Sequence, residues 1–142
     1  MEANELRIGN YIQLHRNPTD KFMSVHSIKS IFFYNKESGY YYSKLDDDFE
    51  VNLDSDVEPV KLTEDWLLKF GFDQMKESTT YEWKDGDYRS VQVDLKSNEA
   101  EIYLCGYDSV MSSQCFPVDH IQYVHEFQNL FFALKGKELT LK

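Results

Sequence analysis

The C-terminal stretch constrains the fold of this chain more than any other. Positions 121–141 read IQYVHEFQNLFFALKGKELTL, and Tyr123, Val124, Phe127, Leu130, Phe131 and Leu134 recur at steps of three and four, the spacing of one face of an α-helix. Gly136 stands where a left-handed residue ends such a helix, and KELTL beyond it reads as a short last strand. Burying six large apolar side chains is worth on the order of 10 kcal/mol before ordering entropy is subtracted, so the helix needs an apolar platform.

Residues 79–105 read as that platform, a three-stranded meander. Asp85-Gly86 between TYEWK and YRSVQVDL is a strong hairpin signal, and Lys96-Ser97-Asn98-Glu99 supplies the second turn. Period-two alternation puts Tyr81, Trp83, Val91, Val93, Leu95, Ile102 and Leu104 on one face, with Glu82, Lys84, Gln92 and Asp94 turned to water. Upstream, LTEDWLLKFGF at 62–72 has the grammar of a short helix. Thr63 is its N-cap, Glu64 and Asp65 lie in the positive first turn, and Gly71 is its left-handed stop, with Phe72 folding back on Leu67. Leu62 and Leu67 form a staple, and Trp66, Leu67 and Phe70 face the core.

The first sixty residues are strand-like. Ile8, Tyr11 and Ile12 flank Gly9-Asn10, the segment FMSVHSIKSIFFY is rich in β-branched and aromatic residues, and Asn35 to Gly39 has hairpin-loop length. That order resembles an SH3-like small barrel. The expected class is therefore α+β. A small β-barrel over 1–60 is followed over 61–142 by a short linking helix and an antiparallel meander covered by the C-terminal helix, with one shared core as an alternative to two.

Charge is unevenly placed. The formal net charge is −10, yet seven acids and no base fall between Asp46 and Glu58 (Asp46, Asp47, Asp48, Glu50, Asp54, Asp56, Glu58). That band repels phosphates and anionic membrane surfaces, which argues against direct nucleic-acid or membrane binding and favours basic partners. No apolar run approaches the roughly 18 residues of a membrane span, and MEANELRIGN lacks an apolar signal core, so a cytoplasmic chain is expected. Cys105 and Cys115 form no CxxC, and reduced thiols are expected of them.

Chemistry-bearing motifs are scarce. His125-Glu126 is followed by Asn129 where a zinc-protease helix needs a second histidine, and His120 and His125 lie too far apart around a helix to share a metal. His15 and His26 add no ligand spacing. Asp54, Asp56, Glu58 and Asp65 imitate calcium-loop positions, but Pro59 occupies the place of the turn glycine. The cysteines lack a glycine cluster that would mark an oxyanion site, and the six glycines build no nucleotide loop. No catalytic residue, metal or cofactor is expected. Tyr40, Tyr41 and Tyr42 are candidates for an exposed aromatic patch.

Three segments carry a family resemblance. NELRIGNYI at 4–12, KLTEDWLLKFGF at 61–72 and YVHEFQNLFFALKGKEL at 123–139 resemble the signatures of an uncharacterised family of small proteins from anaerobic gut bacteria, their phages and mobile elements. This chain departs from the pattern at Lys61, Phe127, Lys135 and Lys137. The resemblance implies a phage or mobile-element setting and no assigned activity.

His125, Asn129 and Phe132 share the helix face opposite the apolar one, so that face either lies beneath another segment or meets a partner. Together with Asp46, Asp47, Asp48, Asp54 and Asp56 it forms the candidate interaction surface. The expected function is a non-catalytic protein-interaction module acting through a protein partner or self-association. The alternatives are an acidic nucleic-acid mimic that blocks a DNA-binding protein, and an enzyme or small-ligand protein with a dispersed site.

Overall fold

The computed structural model describes residues 5–14, 25–33, 41–84, 86, 89–97, 99–107 and 113–142. Among them, in chain order, are β1 (Tyr11–Leu14), β2 (Val25–Phe33), β3 (Tyr41–Leu45), β4 (Glu50–Asn52), β5 (Val57–Pro59) and α1 (Glu64–Lys69). The second half adds β6 (Asp73–Gln74), β7 (Thr80–Lys84), β8 (Arg89–Leu95), β9 (Ala100–Tyr107), β10 (Ser113–Ile121) and α2 (Val124–Lys135). The expected α+β class does not hold: the chain is mostly β, two five-stranded antiparallel sheets with two helices among the described residues. It divides into two units, residues 1–61 with 123–138, and residues 62–122 with 139–142.

The first unit is an antiparallel sheet in the order β4-β3-β2-β1-β5. Its strands alternate as a one-sided sheet should, and Ile12, Leu14, Ile28, Leu45, Val51 and Leu53 point inward to form its core with Leu6. The expected SH3-like barrel is not there. β4 and β5, three residues each, are the two edges, and no ladder joins them to close the sheet. β2 carries the expected irregularity, a register shift between Ile28 and Ser30. The expected hairpin loop at Asn35 to Gly39, like Tyr40, His15, Asp85 and Asn98, lies outside the described residues.

The C-terminal helix belongs to this first unit, not to the meander. Its start is fastened by the Val124 N–H donating to Val60 O at 2.8 Å and by a bridge between Lys61 and Tyr123. The Glu126 carboxylate accepts the Tyr123 N–H at 3.1 Å, and Gly136, at φ 65°, ends the helix with its N–H on Phe132 O. Val124, Phe127 and Phe131 are buried as the periodicity predicts. The last strand predicted after Gly136 does not form. Instead Leu139 is buried and the Lys142 N–H donates to Lys69 O, placing the tail with the second unit.

The second unit holds the predicted meander as the centre of a wider antiparallel sheet, β10-β9-β8-β7-β6. Its pairs include Tyr81 with Val93 and Val93 with Ile102, so the predicted apolar face is real. The helix buried with that sheet in its own unit is α1. Leu67 is fully buried, Leu62, Phe70 and Phe72 nearly so, and the Glu64 carboxylate hydrogen-bonds the Tyr81 hydroxyl. α1 ends as predicted, with Gly71 at φ 82°, the Phe72 N–H on Leu67 O and the Gly71 N–H on Leu68 O, the two bonds of a Schellman ending. Thr63 takes the N-cap position without a side-chain cap bond.

Three details of this unit depart from expectation. Glu82 is buried, not turned to water. Burial pushes its pKa up, but the Ser90 hydroxyl, the Gln92 amide and the Lys84 ammonium outweigh burial and hold its carboxyl below the usual range. β10 was not predicted, because Pro117 weakens its strand signal. It survives as an edge strand with a register shift beside Pro117, where a missing N–H costs the sheet nothing, while Phe116 and Val118 stand exposed.

The third departure is the cysteine pair. Cys105 on β9 and Cys115 on β10 lie directly opposite each other and are joined by a disulfide. The strand register accounts for this, since the antiparallel pairing of β9 with β10 sets residues ten apart opposite each other. Closing so short a loop is worth about 2–3 kcal/mol in the chain-entropy view, so reduction or Cys105→Ser should lower unfolding stability by that amount. Thiol titration of native protein purified without reductant checks the premise, and two reactive thiols would refute it.

Candidate functional site

The site is assembled in the first unit where residues 5–11 run against α2. Gly9, at φ 91°, turns the chain so that its own N–H reaches Ile28 O and the Asn10 carbonyl receives the Ile28 N–H. A residue with a Cβ is strained at that angle even though open space surrounds the position. Asn10, buried, then closes a local turn, with its Oδ1 accepting the Arg7 N–H at 2.7 Å. That turn sets Arg7 and Glu5 beside the helix.

α2 meets this segment with His125, Gln128, Asn129 and Phe132, which form one stripe at three- and four-residue spacing. Gln128 is buried in the middle of it. Its Oε1 accepts the Tyr11 N–H at 2.9 Å and its Nε2 donates to Gly9 O at 2.9 Å, so its amide stands in for a strand neighbour. Asn129 donates to Glu5 O at 2.7 Å and accepts from Asn10 Nδ2 at 3.1 Å. The Arg7 guanidinium lies 4.0 Å over the Phe132 ring and bonds Glu138 Oε1 at 2.7 Å.

Between these groups an open cleft of about 550 Å³ is lined by Glu5, Arg7, His125, Glu126, Asn129, Phe132 and Ala133. His125 is 1% exposed, and among the described residues neither ring nitrogen has a hydrogen-bond partner. That is anomalous for an imidazole, which carries a donor and an acceptor that interiors normally satisfy. Its ring stacks near Tyr123, with centroids 5.9 Å apart. Burial pulls its pKa below the ordinary value, and the neighbouring Glu126 and Glu5 carboxylates pull the other way without prevailing. His125 is therefore neutral at pH 7.

A pH dependence follows from that shift. The unfolded chain takes up a proton at His125 near the ordinary value of 6.5, which the folded chain resists. The stability contribution is complete above that value and is lost as the pH falls below it, by at most about 1.4 kcal/mol per pH unit. Urea unfolding at pH 7.5 and 5.5 should show a smaller drop for His125→Phe than for the unaltered chain. Equal drops would mean that the imidazole is not buried neutral.

The structure thus places the predicted trio unequally. His125 is buried, Asn129 half-buried and Phe132 38% exposed at the rim. The covering segment comes from the N-terminus. The sequence reading missed Glu5, Arg7, Asn10 and Gln128. For two of them a signal existed: a Gly-Asn pair marks a turn, and Gln128 is a polar residue inside an otherwise apolar arc.

The acidic band does not join this cleft. Asp47 Oδ1 accepts the Phe49 N–H, Asp54 the Tyr41 N–H and Asp56 the Asn52 N–H, while Asp48 pairs with Lys29. Asp46 lies 2.9 Å from His26 Nδ1 and accepts the Ser27 N–H at 3.2 Å. Partial burial raises its pKa, but the His26 and Ser27 contacts prevail and hold the carboxyl below the usual range. Among the described residues, His26, Asp46 and Asp47 are one group with three metal-type ligand atoms within 4.8 Å, and the His26–Asp46 hydrogen bond accounts for the proximity of those two. Tyr41 is exposed and Tyr42 half-buried.

No helix among the described residues is long and apolar enough to cross a membrane. Comparison with protein-family models, with curated proteins and with solved structures returns no match.

Proposed function

We propose that this chain is a non-catalytic interaction module that docks a protein partner at the cleft beside α2, in a phage or mobile-element setting as the resemblance implies. The observation that carries the reading is His125, fully buried at the floor of an open cleft with both ring nitrogens unsatisfied. Interiors rarely tolerate that, whereas binding surfaces keep such groups for an occupant to complete. The exposed Phe132 at the rim adds the aromatic anchor that interfaces favour.

Binding is favoured over catalysis by the lining itself. Among the described residues it contains no hydroxyl or thiol nucleophile, and the Asn129 amide that could serve as a donor is already bonded to Glu5 O. A nucleic-acid mimic would need rows of carboxylates at phosphate spacing. Here Asp47, Asp54 and Asp56 accept backbone N–H groups, Asp46 bonds His26 and Asp48 pairs with Lys29, so that alternative gains no support.

A photo-cross-linking residue at Ala133 tests the reading, with one at the exposed Lys76 as control. The expected result is one host protein captured through position 133 and not 76, whose purified form binds the unaltered chain and loses affinity for Phe132→Lys. Capture of a second copy of the chain would assign the cleft to self-association. Absence of any adduct specific to position 133, or full binding by Phe132→Lys, would overturn docking at this site.

A further inference from the structure

Two acids of the band meet a histidine in a way that their own turn does not require. β3 and β4 are joined by a tight turn in which the Leu45 N–H donates to Phe49 O and the Asp48 N–H to Leu45 O, both at 3.0 Å. The Asp46 N–H fastens that turn to β2 through Ser27 O at 3.0 Å. Each carboxylate then uses one oxygen on backbone. Asp46 Oδ2 accepts the Ser27 N–H and Asp47 Oδ1 accepts the Phe49 N–H, each at 3.2 Å. The other two oxygens, Asp46 Oδ1 and Asp47 Oδ2, converge on His26 Nδ1 at 2.9 Å and 3.7 Å.

An imidazole nitrogen carries at most one proton. Here that proton serves Asp46, which leaves Asp47 Oδ2 beyond hydrogen-bond reach of the same nitrogen. Two anionic oxygens drawn to one point repel each other unless positive charge stands between them. Lys29 pairs with Asp48 at 3.3 Å, so the two charges of Asp46 and Asp47 remain in excess. A divalent ion held at about 2.0–2.2 Å by such ligands keeps their atoms about 3.0–3.5 Å apart, and the two separations observed here bracket that range. Both carboxylates are close to half exposed, which gives an ion a path from solvent. Coordination takes only Nδ1 of His26 and displaces from it the single proton shared with Asp46. The backbone bonds of both carboxylates stay in place and hold the ligands in orientation.

We infer that His26 Nδ1, Asp46 Oδ1 and Asp47 Oδ2 form a binding site for a divalent transition ion of the zinc type. One imidazole with two carboxylates suits such borderline ions, whereas magnesium and calcium prefer oxygen alone. Three protein ligands leave a further position to water. No ligand spacing in the sequence shows this site, because twenty residues separate His26 from Asp46. The inference is independent of docking beside α2.

The probe is zinc chloride, titrated into the untagged full chain at pH 7 and followed by calorimetry and by NMR of the histidine rings. Saturable binding of one ion per chain is expected, with the His26 ring shifted and the His120 and His125 rings unmoved. Magnesium and calcium at the same concentrations should not saturate the site. Asp47→Asn keeps an oxygen for the Phe49 N–H but removes the charge, and should weaken zinc by about ten-fold or more. Zinc should raise the urea midpoint of the unaltered chain and leave that of Asp47→Asn where it stands without the ion, a control for folding of the variant. His26→Gln should lose zinc in the same way. Zinc reporting at His120 and not at His26, undiminished binding by Asp47→Asn, equal saturation by magnesium, or no saturable binding would each overturn the assignment.

Discussion

Phe127→Ala should destabilise the protein by about 3–5 kcal/mol, a large share of the roughly 5–15 kcal/mol that a domain has to lose. Phe127 is fully buried on α2, with its ring 6.3 Å from Phe131 in an edge-on arrangement. Truncation removes the transfer energy of the ring and leaves a cavity that the packed surroundings fill only in part, because helical backbone does not collapse into it. Phe127→Asp should go further and abolish soluble expression, since it places an unpaired carboxylate in the same space. Urea unfolding of the alanine variant checks the first claim, and a loss below about 1 kcal/mol would place the ring outside the core.

Gln128→Leu should cost about 3 kcal/mol although it makes the side chain more apolar at nearly constant volume. The buried amide satisfies the Tyr11 N–H and the Gly9 carbonyl and lies 3.5 Å from Asn10 Nδ2. Leucine leaves the first two groups without partners in a part-buried setting, and each such loss is worth about 1–3 kcal/mol. Hydrogen exchange gives the specific readout, because the Tyr11 amide should lose protection out of proportion to the global change. Paired with Asn10→Ala in a double-mutant cycle, the two losses should couple by at least about 0.5 kcal/mol, since both side chains belong to one amide network. Strict additivity would mean that the network is not shared.

Local grammar was legible at the helix stops and in the meander. α1 ends at Gly71 and folds Phe72 back, and α2 buries Val124, Phe127 and Phe131 and stops at Gly136. The pairing of Tyr81, Val91 and Val93 with their partners across the meander also follows the alternation. These features depend on residues a few positions apart, where steric preference and periodicity act directly. The architecture did not follow from them. An apolar helix face says that something must cover it and not what, so the meander seemed a natural platform for α2, while the structure groups that helix with residues 1–61.

The functional site was half legible for the same reason. His125, Asn129 and Phe132 could be placed on one stripe by helical angle alone, but whether that stripe faced water depended on Gly9 and Asn10, more than a hundred residues away. Cys105 and Cys115 were equally visible and equally undecided until β9 and β10 set their register. Sequence alone therefore determined the helix stops at Gly71 and Gly136 and the apolar arc of α2, because those preferences are written in near neighbours. Tertiary structure decided which faces meet, which acids hold turns and which imidazole is left without a partner, because such contacts join distant segments through pairings that no local pattern specifies.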